Sequence, residues 1–168
     1  MGAVTTVYRA SSTITIAPEN IASSTTFVAG VESAVYDNTS NKDQDVLIAG
    51  TWRCGTTPTI NTQCLVYVFA IRDDAPAYPD VFDGTSSAET LATAGVGAGF
   101  LKLGGLATID ATTSDVFYGI GPFSVAALFG GVCPNKFGLF ITHNTVVNSN
   151  TTAGSHVWKA TGVSYSVA

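Results

Sequence analysis

Five carboxylates crowd one segment of the chain, Asp73, Asp74, Asp80, Asp83 and Glu89, and no Lys or Arg stands between Arg72 and Lys102. Acids at that density can hold a metal, work as an acid/base pair, or shape a loop. A calcium site gathers about six to eight oxygen ligands round one point, in the EF-hand from alternate positions closed by a late Glu. The run DDAPAYPDVFDGTSSAE does not follow that spacing. A glycosidase pair must face across a cleft about 5 to 9.5 Å apart with one carboxyl kept protonated, and nothing in the segment selects two of these acids for it. Pro76 and Pro79 favour extended backbone, and Asp83 followed by Gly84 is a turn pair. The expected role is therefore aspartates that accept backbone hydrogen bonds in turns, with a metal site as the lesser alternative.

The remaining reactive side chains are few. His143 in ITHNT and His156 in GSHVW are the only histidines, and no GxSxG elbow precedes either, so a structural hydrogen bond at a strand end is expected of each. Cys54, Cys64 and Cys133 lack CxxC spacing and a nearby His cluster, which disfavours zinc. Cys54 and Cys64 could face each other across a hairpin; buried free thiols are the expectation in a reducing compartment. Trp52 and Trp158 are candidate sugar-stacking platforms, although an indole on a strand is more often core or interface. GVGAG, residues 95 to 99, lacks the Lys of a phosphate loop and reads as a flexible connection. Asn38 and Asn150 match the glycosylation triplet, but the N-terminus has no basic start or apolar centre of an export signal, so both are expected to be turn residues. No cofactor site is recognised.

These residues must be carried by strands. Short runs of β-branched and aromatic residues alternate with period two and are bounded by Gly, Pro, Asn, Asp and Ser. Strands are expected over 4–9, 13–16, 24–36 with a break at Gly30, 45–54, 64–72, 99–109, 115–120, 136–143, and 156–167 with a break near Gly162. In CLVYVFAIR, Leu65, Tyr67, Phe69 and Ile71 share one face and Cys64, Val66, Val68 and Ala70 the other. Both faces are apolar, which predicts a central strand covered on each side. A short helix is expected over 124–129, capped by Ser124 and ended by Gly130 or Gly131. DATTSD, between Ile109 and Val116, is expected to close a hairpin, and GTTPTINTQ a longer loop. The sum is an all-β, antiparallel two-sheet sandwich, jelly-roll-like, as one domain over 21–168, with 1–20 as an N-terminal arm or edge strands.

Composition bounds the partners. Of 168 residues 46% are hydrophobic and only 11% charged, less than half the usual charged share of about 25%. Interface cores are depleted of charge, so such a surface suits a protein covered in part by neighbours. The net charge of −5, with seven scattered Lys and Arg, argues against nucleic acid, and no apolar run approaches a membrane span. A soluble chain without an export signal, prone to self-assembly, is the expectation.

Three separated motifs, STTFVAGVESAVYDNTSN, YPDVFDGTSSAET and GPFSVAALFGGVCPNKFGLFITHNT, resemble in order a family of small structural proteins of tailed bacteriophages, over about residues 21 to 158. The resemblance implies a jelly-roll-like virion component made in the host cytoplasm. Its most natural place is the outer capsid surface, as a decoration or cement protein that binds the major capsid protein and reinforces capsomer junctions, often as a homotrimer. No catalytic, cofactor or metal residue comes with it. The segments 78–84 and 127–138 then become contact surfaces, with Tyr78, Asp80, Phe82, Asp83, Phe129 and Lys136 as candidate contact residues. Competing readings are a carbohydrate-binding or adhesin-type module of the tail or fibre, using Trp52 or Trp158 with Tyr78, and a small hydrolase using Asp80 or Asp83.

Overall fold

Period-two alternation becomes two antiparallel sheets in the computed structural model, which describes residues 2–71, 77–92 and 97–167. In chain order the elements are β1 (Val4–Tyr8), β2 (Ser12–Thr13), β3 (Ala29–Glu32), β4 (Tyr36–Asp37), β5 (Asp45–Arg53), β6 (Gln63–Ala70), β7 (Ser87–Thr90), α1 (Gly97–Phe100), β8 (Lys102–Thr108), β9 (Phe117–Ser124), α2 (Val125–Leu128), β10 (Lys136–His143) and β11 (Val157–Val167). The first sheet runs β1-β11-β5-β9, with β2 also on β11; the second runs β7-β3-β10-β6-β8, with β4 on β10. The chain crosses between layers after β2, β4, β5, β8, β9 and β10, a connectivity compatible with the jelly roll. The first twenty residues contribute edge strands to the first sheet, held by β11.

Between the sheets, Val46, Ile48 and Trp52 of β5 and Trp158 and Ala160 of β11 meet Cys64, Val66 and Val68 of β6 and Leu139 and Ile141 of β10. Each large apolar side chain sealed there contributes about 1.5–3 kcal/mol. The second sheet is covered on its back as well. Phe69 of β6 and Phe140 of β10 pack there against Phe82, Leu91 and Leu101. The strand of CLVYVFAIR is therefore interior and buried on both faces, as its pattern predicts.

Several expectations need correction. DATTSD closes no hairpin: β8 is an edge of the second sheet, paired to β6, whereas β9 is an edge of the first, paired to β5. The same turn chemistry serves a crossing between layers, pinned by the buried Ile109, whose N–H donates to Thr62 O at 2.8 Å. GTTPTINTQ also crosses layers, so Cys54 and Cys64 do not face each other across a hairpin, and all three cysteines are free. The expected strand 24–36 is reduced to β3 and the first residue of β4, and it starts late because Ser24 turns the chain first, its Oγ accepting Val28 N at 3.1 Å and Ala29 N at 3.2 Å.

Gly30 and Gly162 break nothing. They lie inside β3 and β11 at places of close approach, where an added Cβ would fall 2.3 Å from Ile141 O and 2.1 Å from Asp43 Oδ2 respectively. Residues 99 and 100 are helical, not extended. The strand expected over 115–120 starts at Phe117 and continues to Ser124, with Pro122 accommodated on an edge strand at a register shift opposite Ile48 and Gly50 of β5. The helix is where Ser124 placed it: Ser124 Oγ accepts Ala127 N at 3.0 Å, and Gly131 N donates to Ala126 O at 2.7 Å.

Candidate functional site

Residues 77–92 form a loop laid over the back of the second sheet, and β7 joins its far end to β3. Its anchor is Phe82, which stacks on Phe69 with ring centroids 4.3 Å apart and meets Phe140 at 5.4 Å and Phe100 edge-on at 5.9 Å. Its polar clasp is Glu32, the last residue of β3. This fully buried carboxylate accepts Gly84 N at 2.7 Å and Asp83 N at 3.0 Å. Asp83 Oδ1 in turn accepts Thr85 N at 2.8 Å and Thr85 Oγ at 2.6 Å, an Asx turn. Gly84 sits at φ 83° beneath Tyr78, where a Cβ would fall 2.2 Å from the phenol oxygen; both facts demand glycine. Asp80 Oδ2 accepts Ala92 N at 3.1 Å and ties the two ends of the loop together.

The electrostatics follow from burial. Desolvation raises the Glu32 carboxyl to about 7 despite its two backbone donors, and the nearby Asp83 and Glu89 push the same way. Thr85 holds Asp83 below the usual carboxylate range, so Asp83 is an ionised turn former and not a proton donor. Asp73, Asp74 and Pro76 lie outside the described residues, as do residues 95 and 96 of the expected flexible connection. Among the described residues no group of three or more His, Cys, Asp or Glu gathers as a metal site.

The six candidate contact residues divide. Tyr78 and Phe82 belong to the cluster on the back of the second sheet, and Phe82 is buried, so its part is to anchor the loop and not to meet a partner. Asp80 and Asp83 are exposed on that loop. Phe129 packs instead against the core between the sheets, and Lys136 stands 3.8 Å from Asp37 at the start of β10. The two motifs are thus built on different clusters.

The histidines and indoles are internal. His143 Nε2 faces Ile21 O at 3.0 Å, which makes it the protonated nitrogen, and Nδ1 lies 2.9 Å from Thr145 Oγ. Burial lowers His143 to about 4 and lowers His156 as well, so both are neutral at neutral pH. His156 Nδ1 accepts Arg53 N at 3.1 Å. Both rings flank Trp52, at 5.2 and 6.3 Å. Trp52 and Trp158 have no exposed surface, so neither is a stacking platform for a sugar. Asn38 closes a turn by bonding both backbone groups of Asp43, and Asn150 Oδ1 accepts Thr152 N at 2.8 Å.

A polar depression of about 400 Å³ lies at one end of the sandwich, lined by Gly55, Asp115, Asn148, Asn150 and Thr152 among others. Several of its side chains are already engaged, Asn150 Nδ2 donating to Asp115 Oδ1 and Asn148 Nδ2 to Asn20 Oδ1. No aromatic ring lines it.

Two buried acids, Glu32 and Asp43, escape a reading of the sequence. Glu32 had a signal: an acid inside the apolar run FVAGVESAV must either be exposed or be clasped. Asp43 had none, since SNKDQD reads as an ordinary polar loop. Its carboxylate is buried beside Gly162, with Arg9 Nε 3.6 Å away. No family model matches the chain, and no curated protein or solved structure matches it significantly. The phage resemblance of the three motifs therefore rests on those residues alone.

Proposed function

We propose that this chain is a structural component of a tailed-bacteriophage virion, a decoration protein that binds the major capsid protein on the outer shell and reinforces capsomer junctions. The observation that carries the reading is where the acids go. The described carboxylates of the motif segment are engaged in building one loop, with Asp80, Asp83 and Glu89 each bonded within it. Acids so engaged support the reading of this loop as a shaped surface. Each copy bound to an assembled shell stabilises the assembled state alone, by mass action. Self-association, with a trimer as the state implied by the motif resemblance, multiplies the contact, and the exposed acids Asp80 and Asp83 guide approach to basic groups on the shell.

Incubating the purified protein with undecorated phage shells and reconstructing the particles from micrographs tests this directly. Added density at regular outer-surface positions supports it; shells that stay bare overturn it. The carbohydrate-binding reading has lost its two indoles to the core, and no observation favours it over the structural one.

A further inference from the structure

The edge strand β1 and residues 164–167 of β11, which extend past the pairing with β5, form a ribbon left uncovered among the described residues. All five residues of β1 are exposed, as are Tyr165, Ser166 and Val167 of β11 opposite them, so the ribbon is open on both faces. Its register pairs Val4 with Val167, Thr6 with Tyr165 and Tyr8 with Val163. Directly opposed residues share a face, so Val4, Tyr8, Tyr165 and Val167 form one apolar stripe, exposed by 66%, 65%, 63% and 74%. The other face carries Thr5, Ser164 and Ser166 with the single apolar Val7, and Thr5 Oγ and Ser166 Oγ lie 3.2 Å apart.

An isolated two-stranded ribbon is marginal in water, and natural edge strands are guarded by charge, proline or a bulge. β1 has none of these guards: it carries no charge or proline and its register is unbroken. The ribbon is nonetheless held at its base, where Arg9 N donates to Gly162 O at 2.9 Å, Arg9 Nη2 donates to Asn41 Oδ1 at 2.8 Å, and Asp43 answers the guanidinium. A segment fixed at its root and bare at its tip is built to be covered.

We propose that the occupant is another copy of this chain, with the ribbons of neighbouring copies packing stripe to stripe around a symmetry axis. Charge favours a copy. The protein carries −5 overall, so copies repel, but residues 1–13 and 160–168 contain a single charged side chain, Arg9, which Asp43 already offsets. Here like molecules approach with little repulsion, the nearest further charge being Lys159, whose Nζ donates to Thr13 Oγ1. Complete burial of the four stripe residues on both copies would bring the contact to roughly 1,000 Å², the lower bound for a specific interface. This names the self-contact within the proposed virion role and in that sense rests on it.

Analytical ultracentrifugation of the full chain at micromolar concentration, alone and as Val4→Lys/Tyr165→Lys, is the test. The wild type sediments as an oligomer; the lysine variant, changed only at exposed positions, keeps its unfolding midpoint and sediments as a monomer, its self-affinity lowered about a hundredfold or more. Should lysines disturb folding, Tyr8→Ser/Tyr165→Ser gives the same readout more gently. A monomeric wild type, or an oligomer that survives either folded variant, overturns the proposal. Binding to phage shells, scored separately, distinguishes the two readings. A wild-type oligomer dissolved by lysine but absent from shells sinks the virion role and keeps the ribbon contact. A monomeric wild type that binds shells while the lysine variant does not assigns the ribbon to the shell instead.

Discussion

Glu32 shows how one buried group can hold a surface. Its folded value of about 7 lies above the ordinary 4.5, so the unfolded chain releases this proton first and Glu32 makes stability fall as pH rises from about 4.5 through 7, by at most about 3 kcal/mol. His143 acts the other way. Burial lowers it from 6.5 to about 4, so its contribution is full above 6.5 and is lost as pH falls towards 4. The two oppose each other between 4.5 and 6.5 and separate by substitution. In urea titrations across pH 4 to 7.5, Glu32→Gln is expected to gain stability with pH more steeply than wild type, and His143→Gln less steeply. Parallel profiles for all three proteins would contradict these assignments. Neither role follows from residue type alone, because the sign of each shift depends on burial that only the folded sheet supplies.

At the scale of elements, the loop 77–92 is held by Phe82 on one side and by the β3–β7 ladder on the other. Phe82→Ala is expected to cost about 3–5 kcal/mol by calorimetry, the range for a deleted core ring. Because Phe82 belongs to the cluster behind the second sheet and not to the core between the sheets, Trp52 and Trp158 fluorescence should stay native while amides of β7 exchange faster. An unchanged β7 with a disturbed indole environment would mean the two clusters are not separate. The strands themselves were legible: β5, β6, β10 and β11 follow their apolar alternation nearly to the residue. β7 was not, since SAET has no apolar alternation and becomes a strand only by pairing with β3. Layer assignment was equally hidden, because Asp, Thr and Ser turn a hairpin and a crossing by the same local bonds, as 110–115 shows.

For the whole molecule, an acid-rich motif, two histidines and two tryptophans that suggested chemistry are mostly occupied in building the fold, while exposed apolar side chains include a contiguous stripe on the ribbon of β1 and β11 as well as others scattered over the surface, such as Leu103, Leu106 and Val132. That distribution suits a molecule whose work is adhesion, and it was partly visible beforehand in the 11% charged composition. The placement of the candidate contact residues was less legible: an aromatic ring in a Gly- and Pro-rich loop gives no sign of which sheet it will fold back onto, and Phe82 is buried in one cluster while Phe129 lies half-buried against the other. The central claim, reinforcement of a shell, is measured most directly by heating phage particles and recording the temperature at which they release their DNA, for particles stripped of this protein, untreated, and stripped then restored. Stripped particles should fail at lower temperature and restored ones should match the untreated. Identical release temperatures in all three would contradict the account.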